Sequence, residues 1–133
     1  MPSLIPEVTD RPGTHVFVVG VSAYPHFEDG VDPTEKGSDL GMEQLSSVAH
    51  SASSFAAWMM NEYRNERAPL ASLRVLLSPS DGENIDGAIE PLLPADHAAT
   101  LNNVLSEFQE FKERCDADPE NVAVAYVAGH GLQ

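Results

Sequence analysis

The sequence is short of cysteine, of basic residues and of long apolar runs. Its one cysteine in 133 residues, Cys115, excludes an internal disulfide and any zinc site built from cysteines alone. Seven basic residues stand against 21 acidic ones, a net charge of −14, which argues against nucleic-acid or anionic-membrane partners. No stretch approaches the ~18 apolar residues that a membrane-spanning helix needs. We expect a soluble, cytoplasmic protein with neither kind of partner.

Patterns typical of metal and cofactor sites are missing as well. No two histidines stand four residues apart on a helix beside a carboxylate, the spacing common in zinc sites. In the segment SDGENIDG, residues 80–87, Ile85 stands where a calcium-binding loop requires a ligand. Gly20 alone does not make a glycine-rich phosphate loop. The sequence therefore predicts no metal and no cofactor.

Apolar residues alternate between strand-like runs and helix-like stripes. Three short runs rich in branched residues are typical of strands in a parallel sheet. These runs are His15–Val21, Leu73–Leu77 and Asn121–Val127. Apolar spacings of three and four residues predict two amphipathic helices between them, one over 45–63 and one that Thr100 caps and that contains Cys115.

The order β-α-β-α-β predicts an α/β fold, a parallel sheet with flanking helices. Residues 1–14 are predicted as an N-terminal tail and residues 15–133 as the folded part. A sheet of three strands is small, and we expect at least one of its edges to be bare and hydrophobic.

The strongest candidate for chemistry is His130, which directly follows the third predicted strand, between Gly129 and Gly131. Ligands of open parallel sheets bind at the carboxyl ends of the strands. An imidazole can transfer protons near neutral pH, and the N–H of Gly131 would be free to donate to a developing oxyanion. The spacing alone is equally compatible with a structural turn or with an oxyanion turn of a different class of hydrolase.

The segments VFVVGVSAY, SVAHSASSFAAWM, LRVLLSP and VAVAYVAGHG, in this order, resemble the N-terminal half of a bacterial caspase-like domain, similar to metacaspases and other cysteine peptidases of the caspase fold. The resemblance covers residues 15–133. It implies that His130 is the catalytic histidine and that Gly131 supplies one oxyanion donor. It also implies a role in bacterial signalling, cell death or defence.

This sequence differs from that family in one respect, the nucleophilic cysteine. The family's cysteine ends a later strand, roughly 50 residues after the histidine, and the sequence stops at Gln133. Cys115 precedes the third strand on a helix stripe and is expected to be a small buried hydrophobe. The expected partner is therefore a Cys-bearing C-terminal half, or a second polypeptide that carries it, and the chain alone is expected to be inactive. The alternative is a non-catalytic caspase-like interaction or scaffold module.

Acidic residues are concentrated in two predicted loops. Residues 24–44 hold six acidic residues and one lysine, net −5, and residues 78–99 hold five acidic residues and no base, also −5. Both loops follow strands, so we expect a negative rim near His130 that attracts cationic peptides. This favours Lys or Arg before the scissile bond, as in metacaspases. Loops kept acidic for solubility are an equal alternative.

Overall fold

The computed structural model describes residues 3–27, 29–39 and 41–130, with the backbone alone for Asp39. It contains three strands, three α-helices and one short 3₁₀ turn. In chain order these are β1 Thr14–Val21, α1 Glu35–Asp39, α2 Val48–Asn61, β2 Leu70–Ser78, the 3₁₀ turn Glu90–Leu92, α3 Leu101–Asp116 and β3 Val122–Ala128. The fold is α/β, as the alternation of apolar patterns predicts.

The three strands form one parallel sheet in the order β2-β1-β3. β1 lies at the centre and is covered on both faces, which explains its uninterrupted apolar sequence. Val16 and Val18 face α2, in a core completed by Leu73, Val75 and Leu77 of β2. The alternate residues Phe17 and Val19 pack with Phe111 of α3 in a second core on the opposite face.

Both long helices begin with a side-chain hydrogen bond, but from different sources. The hydroxyl of Thr100 accepts the Asn103 N–H at 3.2 Å, which confirms the predicted cap of α3. α2 begins at Val48 instead of the predicted position 45, and its N-cap residue, Ser47, makes no side-chain cap. The buried Ser22, just after β1, accepts the Ala49 N–H at 3.0 Å instead. A contact distant in sequence therefore fixes this end of the helix.

A charged cluster joins the N-terminal segment, β2 and α3. The guanidinium of Arg74 donates to Glu7 at 2.8 Å, to Glu107 at 2.9 Å and to Glu110 at 2.5 Å. The side chains of Arg74 and Glu107 are 11% and 5% exposed. Although burial opposes the charge, the hydrogen bonds that Arg74 donates to Glu107 and Glu7 raise its pKa. The charged form is therefore retained inside the fold.

The two edges of the sheet differ. Residues predicted as a tail run beside β2, where the N–H groups of Leu4 and Val8 donate to Leu73 and Ala71 at 2.8 and 3.0 Å. No strand within residues 3–27, 29–39 and 41–130 pairs with the outer edge of β3. The expectation of one bare edge is therefore met at β3.

An exposed apolar face adjoins the open edge. Glu107 and Glu110 of α3 reach toward β2, so the opposite flank of the helix is turned toward β3. That flank carries exposed apolar side chains. Ala125 and Val127 of β3, which lie opposite Phe17 and Val19 of β1, are also exposed. We call this the apolar face; its large residues are Leu101 (72% exposed), Leu105 (60%), Phe108 (51%) and Val127 (73%). Within the described residues, no helix is both long and apolar enough to cross a membrane.

Candidate active site

The carboxyl ends of all three strands lie at the same end of the sheet, because the strands are parallel. His130 follows β3 at this end. The acidic segments 24–44 and 78–99 follow β1 and β2 there. Each segment contains a short helical turn, α1 or the 3₁₀ turn, where the sequence predicted only loop. The predicted histidine and both acidic segments therefore lie at the same end of the molecule.

Two hydrogen bonds hold His130. Its backbone N–H donates to the hydroxyl of Tyr24 at 2.6 Å, and its Nε2 lies 2.7 Å from the carbonyl oxygen of Glu43. A carbonyl oxygen can only accept, so Nε2 carries the proton in this contact. In the neutral ring, Nδ1 then presents a lone pair. A fixed tautomer of this kind prepares a histidine to act as a base.

Two aromatic rings pack beside the imidazole of His130. The rings of Tyr24 and Phe27 are stacked at 4.9 Å, and their centroids lie 5.0 and 6.0 Å from that of His130. The Tyr24 hydroxyl also donates to the Val21 carbonyl at 3.2 Å. A Cβ at Gly129 would come within 2.6 Å of this hydroxyl. The glycine before the histidine therefore makes room for the tyrosine that positions it.

The side chain of Gln44 connects the two ends of the acidic segment 24–44. The amide of Gln44 accepts from the Tyr24 N–H at 2.6 Å and donates to the Tyr24 carbonyl at 2.7 Å. This pair of bonds closes the loop and sets Glu43, the neighbour of Gln44, against the imidazole. The contacts that orient His130 are thus supplied largely by one closed loop.

The other predicted residues fall outside this group. Gly131, proposed as an oxyanion donor, lies outside the described residues, as does Glu28 of the first acidic segment. Cys115 is near the end of α3, seven residues before β3 begins, and so lies toward the amino ends of the strands, away from His130. It packs beside the core of Phe17 and Phe111, and burial raises the pKa of its thiol. A protonated, packed thiol is a poor nucleophile.

Several rim carboxylates have structural roles. Glu83 accepts the backbone N–H groups of Ser80 and His50 at 3.0 and 2.8 Å. Partial burial opposes its charge, but these hydrogen bonds lower the pKa of Glu83 below its ordinary value. Asp86 accepts from the Ala88 N–H, and Asp96 accepts from the Asn103 side chain. Part of the acidic charge therefore secures the second loop and the start of α2.

The part of the chain that the structure describes contains no group of three His, Cys, Asp or Glu residues placed to hold a metal ion. The sequence predicts His130 as a site residue, which stays a prediction, and it did not predict Tyr24, Phe27 and Glu43 as the neighbours of this histidine. Tyr24 and Phe27 gave a detectable signal, two aromatic residues in an otherwise polar segment. Glu43 acts through its carbonyl oxygen, which every residue possesses, so its role had no signal in the sequence.

Comparisons with family models, curated proteins and solved structures found no match to this chain.

Proposed function

We propose that this chain is the histidine-bearing portion of a caspase-like cysteine endopeptidase that acts in the cytoplasm. The observation that carries the proposal is the hydrogen bond from His130 Nε2 to the Glu43 carbonyl, at the carboxyl end of β3. It supplies the oriented base that a cysteine nucleophile requires. A single cysteine, which leaves no internal disulfide, is in keeping with a reducing compartment.

The proposed reaction uses a thiol from a segment outside this sequence. His130 Nδ1 takes the thiol proton, and the thiolate attacks the scissile carbonyl of a peptide. The tetrahedral oxyanion accepts hydrogen bonds from the Gly131 N–H and from a backbone N–H at the cysteine. The imidazolium then gives its proton to the leaving amine, which leaves a thioester. Water, deprotonated by His130, hydrolyses the thioester and regenerates the thiol.

The open edge of β3 supports the proposed source of that thiol. A fourth parallel strand paired with β3 would end beside His130, since carboxyl ends of parallel strands meet at one edge. Its partner helix or loops could cover Leu105, Phe108 and Val127, which the described chain leaves exposed. We propose that a Cys-bearing C-terminal half of the same domain, or a second polypeptide, binds here.

The charge of the rim supports a cationic substrate. The segments 24–44 and 78–99 together carry −10 of the net −14, and His130 lies among them. A negative potential around a reaction centre concentrates cationic peptides there. We propose a preference for Lys or Arg before the scissile bond. A panel of fluorogenic peptides that differ only at this position tests it, and cleavage after Asp alone would contradict it.

Covalent labelling tests the proposed chemistry. The protein that contains this sequence, purified with any chain bound to it, is treated with a peptidyl ketone electrophile ending in Arg. We expect labelling of a cysteine other than Cys115, slowed by about 10²-fold or more in His130→Ala, the usual scale for a lost acid-base group. His26→Ala is the matched control, because His26 is an exposed rim histidine that does not contact His130. Absence of labelling, or equal labelling in His130→Ala, would contradict the proposal.

A second candidate function is a non-catalytic caspase-like interaction module. The apolar face favours it, since four large apolar side chains of α3 and β3 are left exposed by the described residues. In that case electrophile labelling is absent, His130→Ala leaves assembly unchanged, and Leu105→Ser with Val127→Ser abolishes it. The histidine substitution therefore slows labelling under the first candidate and changes neither labelling nor assembly under the second.

A further inference from the structure

A cavity of about 460 Å³ opens between the carboxyl ends of β1 and β2. This volume lies within the range of small-molecule sites in proteins. Its walls are largely apolar and come from both acidic segments. They include Tyr24, Pro25, Val31 and Pro79. His130 does not line it, but Tyr24 contacts both, so the cavity is a separate space beside the candidate active site.

Two carboxylates distinguish this cavity from an ordinary apolar cleft. Asp29 and Asp81 line it from opposite segments, and no Lys, Arg or His is among the lining residues. Neither carboxylate accepts a hydrogen bond from the residues that the structure describes, whereas Glu83 and Asp86 nearby are engaged by backbone N–H groups. The cavity thus combines apolar walls with negative groups that are available to a ligand.

We propose that this cavity binds an organic cation, a guanidinium or alkylammonium group carried on a short apolar chain. The apolar walls accept the methylene groups, while Asp29 and Asp81 pair with the cationic head. A planar guanidinium is the better fit of the two, because its fork of N–H donors can satisfy carboxylates from two sides. A bare metal ion is a poor fit, since no third His, Cys, Asp or Glu joins the two aspartates among the lining residues.

The inference does not depend on the proposed peptidase activity, because binding is measured on this chain without any cleavage. N-butylguanidinium is titrated into the ¹⁵N-labelled chain, with two-dimensional amide spectra as the readout. We expect saturable shifts at Ala23, Ser80 and the side-chain amide of Gln44, with a millimolar dissociation constant. N-butylurea, a neutral compound of the same shape, is expected to leave these signals unmoved.

Charge-removing variants show which carboxylates matter. Asp29→Asn and Asp81→Asn are each expected to weaken binding about fivefold, the effect of one exposed ion pair at the upper end of its range. Glu90→Gln is the matched control, since Glu90 is exposed on the same acidic segment as Asp81 but does not line the cavity. Both aspartates are exposed, so amide spectra of the free variants should match the parent away from the cavity.

Three results would overturn the inference. Equal binding of N-butylurea would show that the positive charge is not recognised. An equal loss in Glu90→Gln and Asp81→Asn would show attraction to the whole rim instead of a site. Shifts that never saturate would show that no defined complex forms. Persistence of cation binding in His130→Ala, by contrast, is expected and separates this site from the proposed reaction centre.

Discussion

Gly20 sets how closely β1 approaches α2, and substituting it tests the packing of the fold. A Cβ at this position would lie 2.5 Å from the Ala52 Cβ and 3.2 Å from the Ala49 Cα. Overpacking of this kind costs about 1–3 kcal/mol. Replacing a strand glycine also relieves an entropic cost of about 0.5–1 kcal/mol. A 2.5 Å approach is closer than real Cβ atoms come, so the overpacking cost lies in the upper part of its range, about 2–3 kcal/mol, and we expect Gly20→Ala to lower the free energy of unfolding by about 1–2.5 kcal/mol.

A double-mutant cycle isolates the contact. Ala52→Gly removes the closest atom but by itself costs about 1 kcal/mol, the helix-propensity difference between alanine and glycine. In the Gly20→Ala background, Ala52→Gly also removes the 2.5 Å contact between the two Cβ atoms. The backbone of α2 remains 3.2 Å from the new Cβ. The double variant should therefore be about 1 kcal/mol more stable than the sum of the two single changes predicts.

Urea denaturation followed by far-ultraviolet circular dichroism measures these differences, with unchanged m-values as evidence that the unfolded state is not altered. Gly87→Ala is the matched control, because a Cβ at Gly87 meets no atom within 4 Å. It should change stability by less than about 0.5 kcal/mol. Full stability in Gly20→Ala, or strict additivity in the cycle, would refute the close approach of β1 and α2.

Three further predictions concern the other helix and the opposite face of the sheet. Thr100→Ala should cost about 1 kcal/mol through loss of the α3 cap, and Thr100→Ser should restore most of it in the same urea assay. Burial, then the charge of Arg114, lowers the pKa of His15, so the unfolded chain takes up a proton first as the pH falls. The free energy of unfolding should therefore be highest above pH ~6.5 and fall below that pH, by no more than about 1.4 kcal/mol per pH unit. His15→Asn should flatten this slope. An unchanged slope in that variant would refute the assignment to His15. Arg74→Met should cost about 1.5–3 kcal/mol at pH 7, because the nearly buried carboxylate of Glu107 loses a charge-assisted hydrogen bond; a loss below about 1 kcal/mol, the scale of an exposed ion pair, would contradict this account.

The periodic parts of the fold were predictable. β1, β2, α2, α3 and β3 all appear where apolar spacing indicated them, with ends that differ by at most three residues. α1 was missed because five residues are too few to show a helical period. The start of α2 was placed three residues early because Leu45 continues the stripe in phase. Tertiary contacts decide where the helix begins, since Ser22 accepts the Ala49 N–H and Glu83 accepts the His50 N–H.

Burial was harder to predict than secondary structure. The run VAVAYVA in β3 is as apolar as a strand covered on both faces, yet Ala123, Ala125 and Val127 are exposed. Their environment depends on which strands and helices lie beside them, and local sequence does not contain that information. For the same reason, the position of His130 after β3 could be predicted from the sequence, but the carbonyl group that contacts its ring could not.

The unequal treatment of the two sheet borders has a consequence for assembly. The backbone N–H groups of Leu4 and Val8 already donate to carbonyl groups on the outer edge of β2. Among the described residues, the edge left open to a further strand is therefore that of β3. Assembly of this sheet with further chain is therefore directional. A strand added there would pair with β3, the strand that His130 follows, so under the proposed function the same addition would extend the sheet and complete the reaction centre.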